Sequence, residues 1–139
     1  MNVVIDTNVI LDVIGKREPF VQFSAAVLML VAKGNLSASI TANTITDIYY
    51  LAKKHHHDHE VTKTALLNII DLHEIVDVTK ADCIKAFDLP MTDYEDALLA
   101  QCARRIKADY IISRDVKDFK NSPVKTITPK DFLSQYFSE

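Results

Sequence analysis

The chain has 139 residues, of which 48% are hydrophobic and 25% charged, with a formal net charge of −3. These proportions suit one globular domain with its own core, and the mild acidity excludes a large basic footprint for nucleic acid. Its two glycines, Gly15 and Gly34, leave no room for a glycine-rich phosphate loop or a dinucleotide fingerprint. Cys83 and Cys102 sit among apolar helical residues and read as core thiols, which suits a reducing cytoplasm. The first residues lack the basic and apolar regions of a signal peptide, and the mixed stretch from Phe20 to Ala32 is too short to span a membrane.

Val3 to Ile5 reads as a buried strand, followed by a short helical turn from Asn8 to Ile14 that Gly15 closes. Pro19 can open a helix whose apolar stripe includes Phe20, Phe23, Val27, Leu28, Leu30 and Val31, ended by Gly34. A strand from Ser37 to Thr41 leads into a helix from Ala42 to Lys54. A polar break, His55 to His59, precedes a helix from Val61 to Leu72. Glu74 to Val78 is the next strand and Ala81 to Leu89 a short helix stopped by Pro90. Thr92-Asp93-Tyr94-Glu95 has the form of a capping box for a helix carrying Leu98, Leu99, Cys102, Ala103 and Ile106. Strands from Asp109 to Ser113 and from Val124 to Ile127 follow, and Pro129 starts a closing helix. Alternating strands and helices predict a three-layer α/β/α domain over residues 1–139, with a central, mostly parallel sheet.

The chemistry lies in aspartates. Asp6 ends the first strand, where a carboxylate is costly unless it is paired or binds metal; it can also cap the following turn. Asp115 stands in the same relation to a late strand, after Ser113 and Arg114. Asp96 lies at the edge of its helix's apolar stripe, and Asp93 lies about 60° further from it, so both can face one cleft. Asp93 is better explained by the helix dipole, since an acid in the first turn interacts favourably with it, whereas Asp96 has less structural reason to be there. Asp47 lies nearly opposite the apolar face of its helix, where simple exposure competes with a role in a site. Loops at the carboxyl ends of neighbouring parallel strands converge on one crevice, so these acids are expected to crowd together. Crowded carboxylates raise one another's pKa values unless a cation neutralises them, and oxygen ligands favour Mg²⁺ or Mn²⁺. Asn8 and Ser113 are placed to orient the ligating carboxylates, and Asp118 reads as an exposed turn residue before a buried Phe119. His55, His56, His57 and His59 cannot all face one ion from a helix boundary and read as a surface turn. No nucleophile-elbow pattern supports a Ser/His/Asp hydrolase.

Val4-Ile5-Asp6-Thr7-Asn8 with Leu11, Ile45-Thr46-Asp47-Ile48, Thr92 to Ala100, and Ile112-Ser113-Arg114-Asp115 with Asp118-Phe119 together resemble the PIN-domain family of nucleases. The closing Thr128-Pro129-Lys130-Asp131-Phe132-Leu133 is similar to that family's usual end. The resemblance implies an acidic quartet of Asp6, Asp47, Asp96 and Asp115, with Asp93 as an accessory acid and Asp6, Asp93, Asp96 and Asp115 on the metal. The second acid, more often glutamate in the family, is here the shorter Asp47. It implies hydrolysis of single-stranded RNA with Mg²⁺ or Mn²⁺, and a likeness to the VapC-type toxin of a toxin–antitoxin pair. A cytoplasmic homodimer bound by a cognate antitoxin, without membrane attachment, is the expected assembly. Two other readings are a PIN fold that only binds, and a receiver-type signalling domain. The latter lacks its phosphoacceptor strand and late lysine here.

Overall fold

The structure, a computed structural model, describes residues 1–137. Its first half runs β1 (Asn2–Ile5), α1 (Thr7–Ile14), α2 (Val21–Ala32), β2 (Ser37–Thr41), α3 (Ala42–His56) and α4 (His59–Leu72). The second half runs β3 (Glu74–Val76), α5 (Lys80–Ala86), α6 (Tyr94–Arg105), β4 (Tyr110–Ile112), a 3-10 turn (Val116–Phe119), β5 (Thr126–Ile127) and α7 (Pro129–Tyr136). The strands form one sheet in the order β3-β2-β1-β4-β5, and every pairing is parallel.

Alternation along the strands separates two helical layers. Val3, Ile5, Ala38, Ile40 and Ile112 pack with Val9 and Ile10 of α1, Val27 of α2, Ile48 of α3, Ile69 of α4 and Phe132 of α7. Val4 and Ile111 point the other way, onto Leu99, Ala100 and Ala103 of α6 and onto Phe119. Both faces are covered, so the central strands read as continuous apolar runs rather than as alternating ones. Burying a side chain such as Ile5, which is 0% exposed, is worth about 2 kcal/mol.

Several boundaries move from their expected places, each for a local reason. α2 begins at Val21 rather than Pro19, because the Arg17 carbonyl accepts from both Phe20 and Val21 and closes a turn there. α3 continues through His56 and stops where His57 takes a left-handed φ of 56°. α4 starts early, at His59, because Asp58 accepts the Val61 N–H. β3 ends at Val76, since the Asp77 carbonyl is taken by Arg105. Val124 lies outside β5, its N–H bonded to the Ser122 hydroxyl. The cap of α6 is Asp93, not Thr92; the capping box occurs instead at α5, between Thr79 and Asp82. No helix among the described residues is long and apolar enough to cross a membrane.

Candidate active site

β1 and β4 are neighbours at the middle of the sheet, yet the chain leaves β1 toward β2 on its other side. Their carboxyl ends therefore border the crevice at the point where strand order reverses. The register Ile5↔Ile112 sets Asp6 beside Ser113, and the Asp6 N–H donates to the Ile112 carbonyl at 3.0 Å.

Asp6 caps α1, one oxygen accepting the Thr7 N–H at 2.8 Å. Its other oxygen accepts the hydroxyl of Ser113, which is 0% exposed, at 2.8 Å. The Ser113 oxygen in turn accepts the Asp115 N–H at 3.0 Å and the Asn8 amide at 3.2 Å. One donor and two acceptor positions are thus filled, and the hydroxyl has no capacity left. The Asn8 amide also reaches Asp115 at 3.1 Å and Asp6 at 3.4 Å, while its carbonyl accepts the Arg114 N–H at 3.2 Å. Asn8 and Ser113 therefore join the β1 and β4 loops into one polar lattice.

α6 supplies the opposite wall. Asp93 caps it by accepting the Asp96 N–H at 3.1 Å, which spends part of its carboxylate on the helix end. A cavity of about 20 Å³ is bordered by Asp6, Glu95 and Asp96, with Thr7, Thr41 and Asn43 around it. That is room for one water-sized body. Asp47, Asp93 and Asp115 are not among its walls. Asp47 on α3 lies close enough to Glu95 to raise its carboxyl.

The charges register this crowding. Burial raises the Asp6 carboxyl, the bonds from Ser113 and Thr7 hold it down, and Asp115 and Asp118 push it up again. Asp96 is pushed up to about 7, by burial first and then by Asp6, Asp93 and Asp118. Glu95 is raised by burial, then by Asp47, Asp93 and Asp6. The ion pairs among the described residues use Asp12, Asp77 and Asp82, and none reaches these acids.

The family profile of the PIN domain matches residues 2–117. The chain belongs to the PIN-domain family. No curated protein matches it in sequence. Among solved structures, this PIN domain is similar to a chain of VapBC2 from Rickettsia felis, in a complex with a promoter DNA fragment. The identity is 21%, the TM-score 0.72, and the match covers 92% of this chain and 98% of that one. A toxin–antitoxin complex from Klebsiella pneumoniae matches at 21% identity and TM-score 0.69, over 91% and 97% of the two chains. VapC20 from Mycobacterium tuberculosis, described as a toxin cleaving the sarcin–ricin loop, matches at 10% identity and TM-score 0.63, over 78% and 86%.

The PIN domain's donors fit a hard divalent cation in kind: all are oxygens, and they repel one another across a cavity of the right size. Among the described residues no three acidic, histidine or cysteine side chains are grouped so that they could hold an ion together. Mg²⁺ keeps several waters and commonly takes only one or two carboxylates, so a seat beside Asp6 and Asp96 needs no third. Glu95 and Asp118 are the acids that sequence reasoning missed. Glu95 follows the cap of α6 by two residues, in the turn that also carries Asp96. Asp118 is exposed, as expected, but lies three residues after Asp115 in a 3-10 turn, where such spacing aligns side chains. The histidines stay apart from the site: His55 and His56 contact each other, and His59 bonds the Tyr49 hydroxyl at 2.6 Å. Cys102 is buried and Cys83 half-buried, both as free thiols.

Proposed function

We propose that this PIN domain, acting as one unit over its whole length, is an endoribonuclease of the VapC toxin type that cuts single-stranded RNA with Mg²⁺ or Mn²⁺. The observation that carries the reading is the raised Asp6–Asp96 pair across a one-water cavity at the switch point of the sheet. Such a pair gains most from a bound cation. The likeness to chains from toxin–antitoxin complexes, and to a toxin described as cleaving the sarcin–ricin loop, supports the biological role.

Asp6 and Asp96 would hold the ion, with Asp93, Asp115 and Asp47 completing the negative field. When bound, the cation acidifies water and offsets the charge that gathers on a phosphodiester in the transition state. The protein's own residues do the rest. Thr7, Ser113 and Asn8 fix the Asp6 carboxylate, so its lone pairs keep one direction during reaction. Asp96, pushed up to about 7 while no cation is present, would be held as a carboxylate once the ion is bound, so it is the acid that gains most from the ion. Asn8 ties the β4 loop to α1 through its bonds to Ser113 and Asp115.

The protein is further proposed to act in the cytoplasm as a homodimer silenced by a cognate antitoxin that inserts a basic side chain among the acids. Met29 on α2 and Val61 and Leu67 on α4 are 54%, 49% and 52% exposed, which supports a partner surface. Because no preformed three-acid cluster stands among the described residues, a PIN fold that binds without cutting is the second reading. One experiment separates them. Wild-type protein should cleave single-stranded RNA with Mn²⁺ and lose that activity in EDTA, and Asp6→Asn should abolish it. RNA left intact by the wild type in Mn²⁺ would end the nuclease reading.

A further inference from the structure

A second concave surface adjoins the acidic site. It has a volume of about 360 Å³ and is lined by Pro19, Phe20, Phe23, Arg114, Pro129 and Lys130, among others. Its residues come from the turn before α2, the first turn of α2 itself, the start of α7 and the loop that carries Asp115. Arg114 and Asp115 are consecutive, so their Cα atoms are about 3.8 Å apart and the groove lies one residue along the loop from an acid of the site's negative field.

The surface pairs cations with rings. The Arg114 guanidinium lies 4.1 Å from the Phe20 ring centroid, and the Lys130 ammonium 5.7 Å from that of Phe23. Arg114 is held from behind by a wholly buried carboxylate: its Nε donates to Asp12 at 2.7 Å, and Asp12 also accepts the Ser24 hydroxyl at 3.2 Å. Arg17 approaches the same carboxylate at 4.0 Å. Lys130 is exposed and takes part in none of the ion pairs among the described residues. Phe20 keeps 39% of its surface exposed even with Arg114 on it.

We propose that this groove is a subsite for one nucleotide of single-stranded RNA, the base lying along Phe20 and Phe23 and the phosphate facing Arg114 and Lys130. The proposal rests on the ribonuclease reading and adds where the strand goes beside the cut. Aromatic faces flanked by cations are how proteins hold single strands without reading sequence. Charge decides between occupants. A chain with net charge −3 and a crowd of acids at its centre repels a polyanion unless cations stand next to that centre, and here they do. A basic antitoxin segment is drawn to the acids and repelled by Arg114 and Lys130. The groove is therefore assigned to RNA rather than to a peptide.

The test is binding without cleavage: fluorescence anisotropy of labelled single-stranded RNA of about 12 nucleotides, in EDTA, across a range of KCl. Phe23→Ala should weaken binding roughly tenfold, the value of one lost stacking contact. Lys130→Gln should weaken it and reduce the slope of log Kd against log salt by about 0.7, as expected for one phosphate contact on a single strand. Lys130→Arg should restore both. Lys63→Gln, which removes an exposed charge on α4, should change neither. Lys130 is on the surface, so its variants test the site even where Phe23→Ala fails to fold. Wild-type affinity and slope in Lys130→Gln would overturn the proposal, as would loss of binding to a labelled basic peptide instead of RNA. Neither result touches the nuclease reading, which stands or falls on cleavage in Mn²⁺.

Discussion

Ser113 donates its hydroxyl to Asp6 at 2.8 Å from the end of the neighbouring strand, 107 residues away in sequence. The β1–β4 ladder, Asn8 and the Arg114–Asp12 pair join the same two regions of the chain.

Ser113→Ala should accordingly lower activity and Mn²⁺ affinity about 10- to 100-fold, the usual cost of removing a group that orients a metal ligand. It also strips the Asp115 N–H and the Asn8 amide of an acceptor, so stability should fall by about 2 kcal/mol. Urea unfolding and isothermal titration with Mn²⁺ give the two quantities. Unchanged Mn²⁺ affinity would show that Asp6 needs no help from β4.

Asp96 sets a pH dependence in metal-free buffer. Its carboxyl is raised from 3.8 in the unfolded chain to about 7 in the fold, so the folded state favours the protonated form. Its contribution to stability is complete below 3.8 and is lost as pH rises through about 7. His73 works in the opposite sense. Burial lowers its pKa, and its Nε2 has no partner, so it costs stability as pH falls below 6.5. The difference between wild type and Asp96→Asn is therefore the informative measurement. In EDTA the variant should melt higher than wild type at pH 8, with the gap closing toward pH 4. Equal melting temperatures across that range would mean the acids do not crowd.

Asp47 offers a gain-of-function test. It reaches Glu95 rather than the cavity, so one more methylene should extend a carboxylate toward the ion. Asp47→Glu should tighten Mn²⁺ binding by up to about tenfold, whereas Asp47→Ala should cost less activity than Asp6→Asn. Titration calorimetry and single-turnover cleavage read both. Weaker Mn²⁺ binding by the glutamate variant would place Asp47 in direct contact already.

The Asp82–Arg105 pair predicts a purely structural loss. Asp82 is fully buried, and although burial pushes its carboxyl up, the Thr79 N–H and Arg105 hold it well below the usual range. Arg105→Ala leaves that charge uncompensated and should cost about 3 kcal/mol, with Mn²⁺ affinity unchanged because the pair ties α5 to α6 away from the acids. Chemical denaturation read beside Mn²⁺ titration checks the separation of the two effects.

The apolar runs Val3-Val4-Ile5 and Tyr110-Ile111-Ile112 were legible as strands because both their faces are buried, and a carboxylate ending such a run has few reasons to be there. The alternation of strands and helices likewise fixed the layers, since a parallel sheet must be covered on both sides. Helix ends were less legible. Thr92 and Asp93 are both good caps, and which one closes α6 depends on where the loop from α5 delivers the chain. Asn8 and Ser113 could be read as partners of Asp6 and Asp115, but which acids pair with one another could not. Whether Asp47 meets the cavity or Glu95 depends on the distance between α3 and α6, which many packing contacts set together and no local pattern encodes. The groove of Phe20, Phe23, Arg114 and Lys130 assembles three distant stretches. In sequence its rings were only part of an apolar stripe, and its cations only two basic residues among 16. Composition and periodicity determine which residues are buried and in what element. Only the folded chain decides which charges then have to face one another.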